Sequence, residues 1–94
     1  MVIWSDPAKH DLRKIFEYIA QDSKYYAQEV IDTFLIESEK LVEFPNLGRI
    51  VPEINDKYIR ELIIYSYRMI YQVGKEDIHI LTIVHGKRDF QGLS

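Results

Sequence analysis

The chain has 94 residues, a formal net charge of −3 and 47% hydrophobic residues. This length fits one domain and excludes two, and the composition is that of a globular protein rather than a disordered one. The acidic balance argues against a free-standing protein that holds nucleic acid through its phosphates, because such proteins are usually basic, although it leaves a local basic patch open.

Cysteine is absent from the sequence. Its absence excludes disulfides, thiol nucleophiles and cysteine metal ligands, and it is consistent with a reducing compartment. The opening MVIWSDPAKH lacks the apolar stretch of a signal peptide, and no segment has the roughly 18 apolar residues of a membrane span. We therefore predict a single cytoplasmic domain over residues 1–94 without membrane association.

The N-terminal part predicts a short strand followed by a helix. VIW is β-prone, after which Ser5 or Asp6 provides a helix cap and Pro7 suits the first helical position. The helix is predicted to end near Gln21, and the charged residues along it, Asp11 among them, are assigned to the solvent face. Apolar residues recur at helical spacing on the other face: Ala8, Leu12, Ile15, Phe16 and Ile19.

A second helix is predicted to begin at Asp22 or Ser23 and to end before Pro45, because the residue before a proline avoids the helical region. Its inward positions also follow helical spacing: Ala27, Val30, Ile31, Phe34, Leu35, Ser38, Leu41 and Val42. Only a few residues join the two helices, so they should form an antiparallel hairpin. The segment 44–57 should then be an ordered surface loop, pinned by Leu47, Ile50, Val51 and Ile54.

The last third changes to residue types that favour strands. Three segments, YIRELIIYS, YRMIYQV and DIHILTIVH, are rich in Ile, Val and Tyr, and GKE at 74–76 forms a tight turn between the last two. No helix-length crossover fits between neighbouring segments, so they should pair antiparallel as a meander. In the final strand one face is assigned Ile78, Ile80, Thr82 and Val84, and the other Leu81 and Ile83.

The predicted fold class is α+β with the order β-α-α-β-β-β. Both helices are expected on one face of a twisted sheet, and the N-terminal strand is expected to join the same sheet. This arrangement leaves the three final strands as the place where polar residues inside apolar runs need an explanation.

The three histidines do not form a metal site by their spacing. His10 falls on the polar side of the first helix, and His79 and His85 lie roughly 20 Å apart along one strand, too far to share an ion. No cluster of carboxylates and histidines has ligand spacing, and a phosphate loop, a nucleophile elbow and a dinucleotide fingerprint are all missing. We predict neither a metal nor a cofactor.

Arginines inside apolar strands are harder to explain. Arg60 and Arg68 alternate with apolar residues in two predicted strands, and Arg88 follows the third. A guanidinium in such a place needs either a partner or an open groove. Glu61 and Asp89 are possible partners, so a structural ion pair and a target-contacting site both stay open. Seven tyrosines leave a similar choice between sheet packing and a partner-binding surface.

Four stretches of the sequence together resemble toxins of the RelE/ParE superfamily: IWSDPAKHDLRKIFEYIA, FPNLGRIVPE, IRELIIYSYRMIYQV and ILTIVHGKRDF. They follow one another in the order and spacing of that superfamily and span nearly the whole chain. The resemblance implies a helical hairpin packed against a mostly antiparallel sheet, which agrees with the order read from the residues.

RelE-like members of this superfamily cut messenger RNA on the ribosome, using basic residues on the sheet to stabilise charge at the phosphate. The resemblance matches two of their arginines with Arg68 and Arg88. Their two lysines fall instead on Ile59 and Glu61, and their catalytic tyrosine falls near Ser94, so most of that catalytic set is absent.

The ParE-like, plasmid-stabilisation branch is the closer resemblance, carried by PNLGRIVPE, RELII and HGKRD. ParE toxins inhibit DNA gyrase by trapping its cleaved complex, and the acidic balance of this chain suits that target better than the ribosome. The resemblance therefore implies the toxin of a type II toxin–antitoxin pair. Its cognate antitoxin would wrap it with a helical or extended C-terminal tail. The pair would repress its own operon, with operator DNA contacted only through the antitoxin.

Two alternatives stay open beside gyrase inhibition. One is a ribosome-dependent endoribonuclease carried by Arg68, His85 and Arg88, with His85 as proton donor or acceptor; the other is a non-toxic relative that only binds its antitoxin. In the leading interpretation no residue is catalytic, and antitoxin docking is expected on apolar helix faces or the sheet edge. The predicted target contacts are Arg60, Arg68, His85, Lys87, Arg88 and Asp89.

Overall fold

The structure is a computed structural model that describes residues 1–86 of the chain. Its elements in this range are β1 (Val2–Trp4), α1 (Asp6–Ala20), α2 (Lys24–Glu43), β2 (Arg49–Ile50), β3 (Ile59–Ile64), β4 (Tyr67–Val73) and β5 (Ile78–His85). The predicted α+β order is confirmed. One short strand that was not predicted, β2, lies inside the segment that was expected to be a loop.

Both helices begin at serine caps. The side chains of Ser5 and Ser23 each accept a hydrogen bond from an amide in the first turn of their helix. These bonds satisfy donors that a helix start otherwise leaves unpaired, so the serine rather than the adjacent aspartate is the cap in both places. The second helix ends at Glu43, ahead of Pro45, as the effect of proline on its predecessor predicts.

The five strands within residues 1–86 form one sheet in the order β1-β5-β4-β3-β2. The last three strands pair antiparallel as the predicted meander, β2 adds antiparallel to β3, and β1 pairs parallel with β5. In this parallel pair Val2 lies beside Ile78 and Trp4 lies beside Ile80. The helical hairpin is thus part of a long crossover that returns the chain to its own first strand.

The main core lies between the helices and one face of the sheet. Phe34 and Leu41 of α2 are fully buried with Met69, Tyr71 and Ile80 from the two central strands. Burial of each such side chain contributes about 1.5–3 kcal/mol relative to exposure. The helices therefore occupy one face of the sheet, as predicted, and any polar site must lie on the other face or at an end.

The opposite face of the sheet is covered by the loop that precedes β3. Val51 and Ile70 are buried there, and Ile54 packs against them. The prediction that apolar side chains pin this loop holds for Val51 and Ile54 but is wrong for Leu47 and Ile50, which are exposed. Ile50 lies in β2, where successive side chains alternate in direction, so the residue next to a buried valine points outward.

A β-bulge in β5 changes which of its residues face the helices. Ile70 pairs with Thr82 and Tyr71 pairs with Ile80, so Leu81 has no residue opposite it. Three residues of the strand join the helix-side core: Ile78, Ile80 and Ile83. Two lie against the other core: Leu81 and Val84. The predicted strict alternation is therefore wrong beyond the bulge.

A carboxylate from α1 stabilises this bulge. Oδ2 of Asp11 accepts hydrogen bonds from Thr82 Oγ1 at 2.6 Å and from the Ile83 amide at 2.9 Å. The assignment of Asp11 to the solvent face is therefore wrong, because the irregular strand presents donors that need a partner. The cap residue Ser5 also donates its hydroxyl to the Leu81 carbonyl at 2.8 Å, which ties the start of α1 to the same place.

After α2 the chain comes very close to the sheet at Gly48. A Cβ here would lie 2.3 Å from the Glu61 carbonyl oxygen and 2.8 Å from Tyr71 Oη, so glycine is required. The Tyr71 hydroxyl accepts a hydrogen bond from the Gly48 amide and donates one to the Pro45 carbonyl, each at 2.8 Å. One phenol thereby fixes the turn between α2 and β2 to the centre of the sheet.

Candidate functional site

The two predicted strand arginines lie on opposite faces of the sheet. Arg60 pairs with Tyr71, whose ring belongs to the helix-side core, whereas Arg68 pairs with Val84, which packs on the other face. Residues opposite each other in register project to the same side of a sheet. The two arginines therefore project from opposite faces of the sheet and do not belong to one surface.

Arg68 is 5% exposed, and two carboxylates within residues 1–86, Glu53 and Glu61, hold its guanidinium. Its Nη1 and Nη2 atoms donate to the two oxygens of Glu53 at 2.9 and 2.8 Å, and its Nε donates to Glu61 at 2.8 Å. The hydrogen bonds to Glu53 raise the pKa of Arg68 above its ordinary value, although burial acts in the opposite direction. Of the two interpretations left open by the sequence, the geometry favours the structural ion pair.

Glu61 is the centre of a larger charged group. Its side chain is fully buried, with Oε1 on Arg68 and Oε2 accepting from Arg49 Nε at 2.6 Å. The side chain of Arg49 is 65% exposed, so the group extends from the interior to the surface. Buried charges need such partners to offset the loss of water. We call these four residues the Glu61 cluster: Arg49, Glu53, Glu61 and Arg68.

Two members of the Glu61 cluster, Arg49 and Glu53, were not predicted from the sequence. The partners proposed for Arg68 were Glu61, which is confirmed, and Asp89, which lies outside the described residues. A signal was present in RIVPE, where Arg49, Val51 and Glu53 alternate and the middle residue is apolar. Such spacing favours one shared direction, toward the sheet that buries Val51.

His85 ends β5 and is exposed. Its ring meets that of Tyr67 edge-on, with centroids 5.8 Å apart, and the two residues are paired in register. Because Tyr67 packs against the helix-side core, His85 lies on the opposite face of the sheet from Arg68. The other three predicted contacts lie outside the described residues: Lys87, Arg88 and Asp89.

Arg60 is partly exposed at the start of β3. Its Nε donates to the Lys57 carbonyl at 3.1 Å and its Nη1 donates to the Gly48 carbonyl at 2.9 Å. Arg60 and His85 are thus the predicted contacts that a partner can reach within residues 1–86. They lie at opposite ends of the meander, since His85 pairs with the first residue of β4 and Arg60 lies near the last.

Arg60 and His85 both carry N–H groups that can donate hydrogen bonds to a partner. Within residues 1–86 no group of three or more His, Cys, Asp or Glu side chains is placed to hold a metal ion. In the same range, no helix combines the length and apolar character that a bilayer crossing requires. What the described surface presents is charged side chains held in defined positions, with an ion-paired interior behind them.

Comparison with known proteins places the chain in a family. A family model described as the ParE toxin of type II toxin–antitoxin system, parDE, matches residues 2–90. The chain belongs to the ParE toxin family. This membership confirms the superfamily predicted by resemblance, and it implies that the chain has an antitoxin partner.

Two further comparisons are consistent with the RelE/ParE superfamily or with its fold. Toxin RelE2 of Caulobacter vibrioides is 32% identical to this chain over 88 residues, which is 93% of this chain and 96% of that protein. A solved structure titled Chromosomal ParDE TA system from P. aeruginosa matches with a TM-score of 0.73 at 21% identity, covering 89% of this chain and 92% of the other. The second likeness shows that the fold is shared.

Proposed function

We propose that this ParE family toxin arrests growth by inhibiting DNA gyrase. The observation that carries the proposal is the Glu61 cluster. Where the superfamily resemblance places a lysine of the RNA-cutting branch, this chain has Glu61, buried and paired with Arg68. Cleavage of RNA needs cations that stabilise charge at the phosphate, and a carboxylate at this point repels it.

The burial of Arg68 supports the same choice. An arginine that contacts a phosphate must give up its present partners, and Arg68 is held by both Glu53 and Glu61. Such an exchange would take a cation away from the buried carboxylate of Glu61, which is unfavourable. Gyrase inhibition requires no such exchange, because it depends on a binding surface. Gyrase acts in the cytoplasm, so the proposal also places the toxin there.

A supercoiling assay with purified toxin tests the proposal. Relaxed plasmid, gyrase and ATP are incubated with increasing amounts of toxin. We expect supercoiling to be lost and cleaved plasmid to accumulate, because the toxin traps the cleaved complex. Mixing the toxin with its antitoxin beforehand should restore supercoiling and serves as the control. Full supercoiling at a large molar excess of toxin, with no cleaved plasmid, would contradict the proposal.

Messenger RNA cleavage is the second candidate, favoured by the relative named Toxin RelE2. The sequence assigns it to Arg68, His85 and Arg88, but Arg68 and His85 lie on opposite faces of the sheet and Arg88 lies outside the described residues. Primer extension on messenger RNA after induction would reveal cuts at defined codons, and their absence in arrested cells would remove this candidate. Normal growth during expression without the antitoxin would exclude both activities and leave a protein that only binds its antitoxin.

A further inference from the structure

An open pocket lies at the end of the sheet opposite His85. It has a volume of about 440 Å³ and is formed by the turn after α2, the start of β3 and the turn between β4 and β5. Its polar lining includes Asn46, Lys57, Arg60 and Lys75, with the ring of Tyr58 beside them. We call it the basic pocket. Its volume is in the range of pockets that bind small groups or side chains.

The basic pocket concentrates positive charge in an acidic protein. Three cations from two separate segments, Lys57, Arg60 and Lys75, line it, while the formal net charge of the chain is −3. The lining residues, all within the described part of the chain, include no carboxylate. The neighbouring Asp56 lines the adjacent pocket, and its Oδ1 accepts a hydrogen bond from the Tyr58 amide at 2.8 Å.

Arg60 is held in place before any ligand arrives. Its two hydrogen bonds to the carbonyls of Lys57 and Gly48 use two of the five N–H groups of a guanidinium. These two bonds orient the side chain. The other N–H groups of Arg60 make no hydrogen bond within residues 1–86 and can therefore bind a ligand. A donor fixed in this way loses less conformational entropy on binding than a mobile lysine does.

Lys57 and Tyr58 form the second wall. The ammonium of Lys57 lies 5.1 Å from the centroid of the Tyr58 ring, and that ring is half exposed. A cation over an aromatic face is attracted by the ring electrons, which favours this position for the ammonium. The tyrosine also offers apolar surface and a hydroxyl at the same place, a combination that is common where proteins bind peptides.

We propose that the basic pocket binds an acidic peptide segment of a protein partner. Two or three carboxylates would meet Lys57, Arg60 and Lys75, while the peptide backbone packs along Tyr58. A peptide is favoured over nucleic acid because the net charge of −3 repels a long phosphate backbone, whereas a short acidic segment meets only the local positive field. The inference does not depend on gyrase inhibition, since it concerns the isolated toxin.

Fluorescence anisotropy with a labelled oligoglutamate peptide tests this site. The double variant Lys57→Gln/Lys75→Gln should bind the peptide about tenfold more weakly, because each exposed pair is worth up to about 1 kcal/mol. Lys9→Gln/Lys14→Gln removes the same charge from exposed positions of α1 and is the matched control. It should change the affinity by no more than about twofold, and salt should weaken binding to the wild type.

Three results would overturn the proposal. The first is an equal loss of peptide affinity in the two double variants, and the second is an unchanged affinity in Lys57→Gln/Lys75→Gln. The third is that a single-stranded oligonucleotide of equal charge displaces the labelled peptide at a lower concentration than unlabelled peptide does. The last would assign the pocket to nucleic acid. Circular dichroism and thermal unfolding of each variant verify that the fold is retained. A failed supercoiling assay leaves this measurement unaffected, because no gyrase is present.

Discussion

Glu61 connects the stability of this toxin with its proposed target. Its buried carboxylate lies between Arg49 and Arg68. These two cations stabilise the negative charge in place of the water that solvates an exposed carboxylate. The resemblance to the superfamily places a lysine of the RNA-cutting branch at this position, which is part of the proposal for gyrase. Arg68, which the sequence suggested as a target contact, is therefore part of an internal ion pair that stabilises the fold.

Substitution of Glu61 should show this directly. Glu61→Gln removes the charge that faces Arg49 and Arg68, and we expect the free energy of unfolding to fall by about 3 kcal/mol, because a buried cation loses a partner. Urea unfolding followed by circular dichroism measures the change. The control Glu39→Gln, at an exposed position of α2, should stay within about 0.5 kcal/mol of the wild type.

A double variant at Glu61 and Arg68 shows whether the loss of stability comes from this ion pair. Glu61→Gln/Arg68→Met should recover part of the lost stability, because it removes the cation that the single variant leaves poorly paired. A single variant as stable as the Glu39→Gln control would mean that Glu61 does not hold Arg68. The sequence could name Glu61 as a partner from its nearness, whereas Glu53 depends on the path of a loop across the sheet.

Element boundaries were largely predictable because they depend on local chemistry. Ser5, Ser23 and Pro45 act within a turn of the chain, and each marks a boundary close to where the sequence placed it. The bulge in β5 was not predictable, since the carboxylate that satisfies it comes from Asp11, which is 71 positions from Thr82. β2 was not predicted, because a strand of two residues is too short to show an alternating pattern in the sequence.

The connection between α2 and β2 should depend on the hydroxyl of Tyr71. Tyr71→Phe leaves the Gly48 amide without its acceptor in a buried place, and we expect a loss of about 1–3 kcal/mol in the free energy of unfolding. Tyr25→Phe, on the exposed side of α2, is the control and should have almost no effect. Equal stabilities of the two variants would show that the phenol does not hold this turn.

Alkaline pH should act on the same phenol. Burial raises the pKa of Tyr71 above its ordinary value, and burial also raises that of Tyr67. A raised folded-state pKa gives stability that is complete below the unfolded pKa of about 10 and is lost as pH rises through the folded value. Between about pH 9 and about pH 11, the urea midpoint of unfolding should fall less in Tyr71→Phe than in the wild type. Identical falls would contradict this assignment.

Across the whole molecule, the sheet carries apolar cores on both faces, and β4 contributes to each through Met69 and Ile70. Unfolding should therefore be one cooperative transition. Trp4, the single tryptophan, lies in β1 and packs on the helix-side core, so its fluorescence should change at the same urea concentration as the circular dichroism. A fluorescence transition at lower urea would show that β1 leaves β5 first.

The architecture of the whole chain was predictable because four motifs in order resemble one superfamily, and the family match over residues 2–90 agrees. The choice of target was not, since it depends on surfaces and on a partner that lies outside the chain. Opposite placement of Arg60 and Arg68 follows from strand register, which only long-range pairing sets.

The parallel pairing of β1 with β5 has a consequence for synthesis. The ribosome makes β1 first and β5 near the end, and 76 positions separate Ser5 from its partner Leu81. A nascent chain that has emerged only as far as residue 77 lacks Ile78, Ile80 and Ile83, so its helix-side core stays open. We therefore expect the toxin to complete this core only after β5 has emerged, and protease digestion of stalled chains would reveal when protection begins.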